Sequence, residues 1–171
     1  MTKALLVIDV QNDYFPGGAF PLWNTEETLS AVTRAIGRAR EKGIPVVLVQ
    51  HVADPELGLA PFFNEGTPGA ELHPRALDAA PGAPVVVKAF ADSFVKTSLE
   101  ATLAGLGATE LLVCGMMTQN CVTHTAISKS AEKYGVTILA DACTTVNEML
   151  HQIALHAVST RVPLRTVDEA L

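Results

Sequence analysis

The sequence predicts an α/β fold: a three-layer αβα arrangement around a doubly wound, mainly parallel sheet of five or six strands, Rossmann-like in outline. Three observations carry this. Short runs rich in Val, Ile and Leu recur along the chain, apolar throughout instead of alternating, as strands buried on both faces require. Segments with apolar residues at helical spacing lie between them, so strand and helix alternate as right-handed βαβ crossovers. The length of 171 residues suits one domain able to bury roughly two-thirds of its unfolded surface.

Five strands are expected at Leu5–Val10, Pro45–Gln50, Pro84–Lys88, Glu110–Cys114 and Val136–Ala140, with Arg165–Val167 as a last short one. Asn24-Thr25-Glu26-Glu27 supplies a cap and first-turn acids for a helix that carries Leu29, Val32 and Ile36 and stops at Gly43. Thr97 or Ser98 caps a second helix with Leu99 and Leu103. A third is expected from about Asn120 to Tyr134, before Gly135, and a fourth from about Asn147 to Thr160. No repeat, low-complexity tract or linker interrupts the chain, so residues 1–171 read as one domain. His51 to Ala83 is rich in Pro and Gly, and a connection that long in a small domain reads as a functional loop.

Charged residues make up 18% of the chain, below the usual value of about 25%, and hydrophobic residues 49%. That composition excludes disorder. Twelve Lys+Arg against 18 Asp+Glu leave a net charge of -6, with no positive field for nucleic acid. No apolar run is long enough to span a membrane, and the N-terminus has no basic region or cleavage site of a signal peptide. Cys114, Cys121 and Cys143 read as free thiols of a reducing cytoplasm. Sparse charge points to surface covered by another subunit. The predicted helix Asn147–Thr160 carries Leu150, Ile153, Leu155 and Val158 around much of its circumference, so a homodimer or homotetramer is expected.

Ligands of open α/β sheets sit beyond the carboxyl ends of the strands, near the switch in strand order. Three chemically active residues fall there: Asp9 after the first strand, Lys88 at the end of the third, and Cys121 at the turn after the fourth. A carboxylate behind a buried run needs a cationic partner, and Lys88 is available. Cys121 is expected in the first turn of a helix, where the dipole and a nearby ammonium lower a thiol pKa. A thiol beside a carboxylate that takes its proton makes a nucleophile–base pair, and amides at the helix start can hold an oxyanion. Cys114, inside a strand, reads as inert, and Asp141 as the cap of a turn.

Leu5-Leu6-Val7-Ile8-Asp9-Val10-Gln11-Asn12-Asp13-Tyr14-Phe15 resembles the opening of the isochorismatase-like cysteine hydrolases, a family that includes nicotinamidases, N-carbamoylsarcosine amidohydrolase and streptothricin hydrolase. Gly66-Thr67-Pro68-Gly69-Ala70-Glu71-Leu72-His73-Pro74 is similar to their middle loop. Lys88 with Ser93-Phe94 and Thr97-Ser98-Leu99 resembles their lysine segment, and Gly115-Met116-Met117-Thr118-Gln119-Asn120-Cys121-Val122 their nucleophile turn. The resemblance implies a triad with Asp9 as general base, Lys88 as its ion partner and Cys121 as nucleophile. It also implies a cis peptide between Met116 and Met117, an oxyanion hole from the amides of Met117 and Cys121, and no cofactor. The implied reaction is hydrolysis of an amide, ureido or lactam-type C–N bond of a small molecule through a thioacyl enzyme.

Nicotinamidases place an Asp two residues before their first metal-binding His; here Val49 precedes His51 at that spacing, so no metal is expected. Members that cleave the vinyl ether of isochorismate work without the cysteine, so Cys121 favours the amidohydrolase branch over a vinyl-ether hydrolase. A non-catalytic binding module on the same scaffold is the alternative outside enzymology. Phe15 and Phe94 are the favoured substrate contacts, with Met116 beside the nucleophile turn and Trp23, Phe62 and Phe63 as further candidate walls. Gln11 either orients the substrate or pairs with the loop. His124, one turn from Cys121, reads as a satisfied buried histidine in preference to a Cys–His dyad, and His151 and His156 as helix-surface or interface residues. Gly105-Leu106-Gly107 precedes a strand and is a helix stop, not a dinucleotide loop. Cys114 and Cys121 lack zinc spacing.

Overall fold

The computed structural model describes residues 1–171. Strands β1 (Lys3–Ile8), β2 (Val46–His51), β3 (Val85–Lys88), β4 (Glu110–Met116), β5 (Gly135–Thr144) and β6 (Leu164–Arg165) form one sheet in the order β3-β2-β1-β4-β5-β6. Every neighbouring pair is parallel. The sheet is flanked by helices α1 (Thr25–Glu41), α2 (Pro74–Ala79), α3 (Leu99–Gly105), α4 (Thr123–Ala126), α5 (Glu148–Val158) and α6 (Val167–Ala170). No helix is long and apolar enough to cross a membrane.

The central strands explain the order. Leu5, Leu6, Val7 and Ile8 are buried, as are Leu111, Leu112, Val113 and Cys114 opposite them. Each such side chain contributes roughly 1.5–3 kcal/mol on burial, so the two strands take the middle of the sheet. The chain builds outward from β1 to β3, returns to β4 beside β1, and builds outward again to β6. The switch therefore lies between the carboxyl ends of β1 and β4. Gly115 makes that junction possible: its φ is +123°, and a Cβ there would lie 2.0 Å from the carbonyl oxygen of Ile8.

Helix α1 buries Leu29, Val32 and Ile36 with Ala31, Ala35 and Ala39, and ends before Gly43 at φ +67°. Asn24 begins it through a left-handed backbone instead of a side-chain cap, and Thr28 Oγ1 donates to the Asn24 carbonyl. At α3 the N-cap is Ser98, whose side chain makes no cap bond; Thr97 Oγ1, one residue earlier, accepts the Leu99 amide.

Four expectations change. The helix read over Asn120–Tyr134 is a π-type turn (Thr118–Val122), the short α4, and a 3-10 turn (Lys129–Ala131). Ser128 ends the helical run by accepting the amide of Ser130, and Thr125 Oγ1 is spent on Ser93. Strand β5 runs on to Thr144 because a register irregularity opposite Val113–Gly115 re-phases it. Asp141 lies within β5 and accepts the Val167 amide at the start of α6 while pairing with Arg34, so it caps a distant helix and not its own turn. Val167 opens α6 and is not part of the last strand.

The connection from His51 to Ala83 folds back over the end of β1. Gln11 bridges Leu72, and Asp13 accepts the amides of Ala19 and Phe63 at 3.0 and 2.8 Å. Gly69 sits so close that a Cβ there would meet Asp13 Oδ1 at 2.1 Å.

Candidate active site

Asp9 leaves β1 in the left-handed region, φ 52°, its amide bonded to the Val49 carbonyl of β2. Lys88 is the last residue of β3, and His51, the last of β2, is its register partner. Cys121 lies in the π-type turn after β4, beyond a Met116–Met117 peptide that is cis. These four side chains converge. Lys88 Nζ is 2.8 Å from Asp9 Oδ2, 2.8 Å from His51 Nδ1 and 3.2 Å from Cys121 Sγ. Asp9, Lys88 and Cys121 are 0–2% exposed, and Asp9 Oδ1 has no hydrogen-bond partner.

Burial and partners decide the charges. Desolvation works against the Lys88 ammonium, yet Asp9 and Cys121 outweigh it and the pKa is raised, so the cation holds. The Cys121 thiol is pushed up, first by burial and then by Asp9, against an opposing pull from Lys88. The lowered thiol pKa expected from a helix start is thereby corrected. The turn leads into a helix of only four residues, too short for much dipole, and Asp9 has already taken the charge of Lys88. The resting site is an ammonium–carboxylate pair beside a neutral thiol. With a ligand atom each from Asp9, His51 and Cys121 within 4.8 Å of one another, the cluster has metal-like spacing. All three donors surround Lys88 Nζ, so they already hold a cation, and a divalent ion does not fit without displacing it.

The other candidates fall in different places. Gln11 donates from Nε2 to the carbonyls of His51 and Ala70 and accepts the His51 amide on Oε1. Its amide is committed to the framework, which selects pairing with the loop over substrate orientation. Met116 is completely buried and packs in the core. Phe15 packs against His73 and Phe94 stacks on Tyr134. Phe62 and Phe63 join Tyr14 and Phe20 in an aromatic cluster, and Phe63 also faces His51 at 5.8 Å between ring centroids. His124 is exposed, and its Nδ1 lies 2.8 Å from the Asn120 carbonyl of its own turn. His156 is exposed as expected. His151 is instead buried, with Nδ1 2.8 Å from Thr118 Oγ1, because α5 packs that face onto the nucleophile turn.

Two residues near the cluster escaped sequence reasoning. His51 was weighed only as a metal ligand; its contact with Lys88 depends on strand register. Tyr14 is buried, and its hydroxyl acidity is suppressed by burial and then by Asp9, which places it near the site. Its position three residues after Gln11 in the Asp9 segment was the available signal.

Comparison with known proteins agrees with this architecture. The isochorismatase domain family model matches residues 3–169. The chain is 39% identical over 145 residues to the isochorismatase family protein YddQ of Bacillus subtilis (strain 168), covering 85% of this chain and 79% of that one. It is 39% identical over 124 residues to a streptothricin hydrolase of Streptomyces noursei, covering 72% of this chain and 43% of that protein. A nicotinamidase and a ureidoacrylate amidohydrolase are among the further relatives. The crystal structure of an isochorismatase hydrolase from Oleispira antarctica superposes with a TM-score of 0.86 at 33% identity, covering 99% of this chain and 95% of that one. The chain belongs to the isochorismatase family, and its relatives include a streptothricin hydrolase, a nicotinamidase and a ureidoacrylate amidohydrolase.

Proposed function

We propose that this protein is a metal-independent cysteine hydrolase that cleaves an amide, ureido or lactam-type C–N bond of a small molecule. The observation that carries the reading is Lys88 Nζ within hydrogen-bond reach of Asp9 and Cys121 at once, with Asp9 Oδ1 unpaired and a carboxylate oxygen of Asp9 within 4.8 Å of the thiol sulfur. Asp9 takes the thiol proton as Cys121 Sγ bonds to the substrate carbonyl carbon, and the carbonyl oxygen becomes an oxyanion. The backbone N–H groups of Met117 and Cys121 are assigned to that oxyanion. As the oxyanion collapses the C–N bond breaks, and Asp9 returns the proton to the leaving nitrogen. A water, deprotonated by Asp9, then attacks the thioacyl carbon; the acid leaves and Cys121 regains its proton. Lys88 holds the Asp9 carboxyl oriented toward the reacting atoms throughout.

The test is ammonia release from a panel of amides, ureides and nicotinamide, with and without chelator, with pyruvate release from isochorismate run alongside. Ammonia release insensitive to chelator supports the reading. Pyruvate release without ammonia would replace it with vinyl-ether hydrolysis, and neither product would favour a binding module.

A further inference from the structure

An ammonium group has three N–H donors and no lone pair. Lys88 has three polar neighbours within hydrogen-bond reach: Asp9 Oδ2, Cys121 Sγ and His51 Nδ1. Each must accept. For Asp9 and Cys121 this is no constraint, but for His51 it settles the ring: Nδ1 carries a lone pair, so the proton of the neutral imidazole sits on Nε2.

We propose that His51 is a positioning residue of this site, locked by Lys88 as a neutral Nε2–H imidazole, and that this N–H donates to an acceptor atom beside the scissile carbonyl of the small-molecule amide. The second half rests on the hydrolase reading above; the first does not. Four observations converge on it. The backbone of His51 is clamped on both sides by the Gln11 amide, at 2.8 Å each, so the ring cannot drift. Its register partner across the sheet is Lys88 itself. Phe63 packs on the ring. Burial and then Lys88 oppose protonation of the ring, outweighing Asp9, which keeps it neutral. All three N–H groups of Lys88 are spent inside the cluster, and Asp9 only accepts. The ring is half-buried where Asp9, Lys88 and Cys121 are sealed, and Nε2 lies on the side away from Lys88. Nε2 is therefore the cluster's remaining N–H donor, carried by the one side chain of the four that is not sealed from solvent. Substrates with a ring nitrogen, carbonyl or carboxylate oxygen next to the reacting carbonyl match it.

The tautomer is read by nitrogen NMR on protein labelled with 15N-histidine, with His51 assigned by the signals lost in His51→Asn. The expected result is an Nε2–H ring that forms an imidazolium only below the ordinary value of 6.5. An Nδ1–H ring, or an imidazolium forming near pH 6.5, overturns the proposal. Kinetics on any amide cleaved in the panel test the donor. His51→Asn keeps an acceptor, Oδ1, for Lys88, but its amide N–H groups stop short of the position from which Nε2 donates, and it is expected to raise KM about tenfold with kcat within about threefold. His51→Leu, lacking both, is expected to lower kcat more than about tenfold as well. Unchanged KM in His51→Asn overturns the donor role. Failure of every amide to release ammonia contradicts the hydrolase reading while the tautomer result stands on its own.

Discussion

Replacing Asp9 by Asn should make the Cys121 thiol more acidic while abolishing turnover. Asp9 raises the thiol pKa because a thiolate would form beside a carboxylate that already holds Lys88. Asn keeps the shape and an oxygen for Lys88 but removes the charge, leaving the ammonium free to pair with a thiolate. At an effective dielectric of about 20, two unit charges about 5 Å apart interact by about 3 kcal/mol, or about two pK units; the ligand atoms of Asp9 and Cys121 lie within 4.8 Å. The assay is the rate of Cys121 alkylation by iodoacetamide against pH, read by peptide mass. Wild type should show no plateau below about pH 8.5, the ordinary thiol value. Asp9→Asn should shift the midpoint down by about two units and release no ammonia. A midpoint that stays or rises, or a variant that still turns over, would refute the reasoning.

Other consequences follow from the same geometry. Gly115→Ala forces a Cβ to within 2.0 Å of the Ile8 carbonyl at φ +123°, and urea unfolding should show a loss of about 3 kcal/mol or more; a loss below about 1 kcal/mol would contradict that close approach. His51 and His151 both have pKa values depressed by burial from 6.5, so below that pH the unfolded chain binds protons that the folded one refuses. Stability should therefore fall as pH drops through 6.5 and below, and a urea midpoint that stays flat on acidification past 6.5 would argue against two neutral buried rings. Met149 and Ile153 stand exposed on α5. We propose that a second copy covers them, so light scattering should give a mass at least twice 18.1 kDa, and a monomer would refute it.

β1, β2 and β4 were legible because they are buried on both faces, which leaves an unbroken apolar run in each; β3, also expected to be buried on both faces, lies at the sheet edge and exposes Val85 and Val87. Asp9, Lys88 and Cys121 were legible for the related reason that polar residues ending such runs need partners. What sequence could not show was set by register and by hydroxyl groups. His51 meets Lys88 because β2 and β3 align those two residues, and nothing in either strand taken alone states that pairing. The turn after β4 was read as one helix because Val122, Ala126 and Ala131 keep an apolar face, while Thr125 and Ser128 spend their hydroxyls elsewhere and break it. The thiol was expected to be acidic from its place at a helix start, an argument that omitted burial and the prior claim of Asp9 on Lys88. Gln11 was read as one of two things because an amide beside a site has either use; only the loop crossing it at Ala70 decides.

The central claim is that Cys121 is the nucleophile. Its most direct measurement is ammonia release by Cys121→Ala against wild type on the amides that wild type cleaves, with circular dichroism to confirm the fold. The account predicts a folded protein whose rate falls by more than about a thousandfold. A folded Cys121→Ala that releases ammonia at the wild-type rate would contradict it.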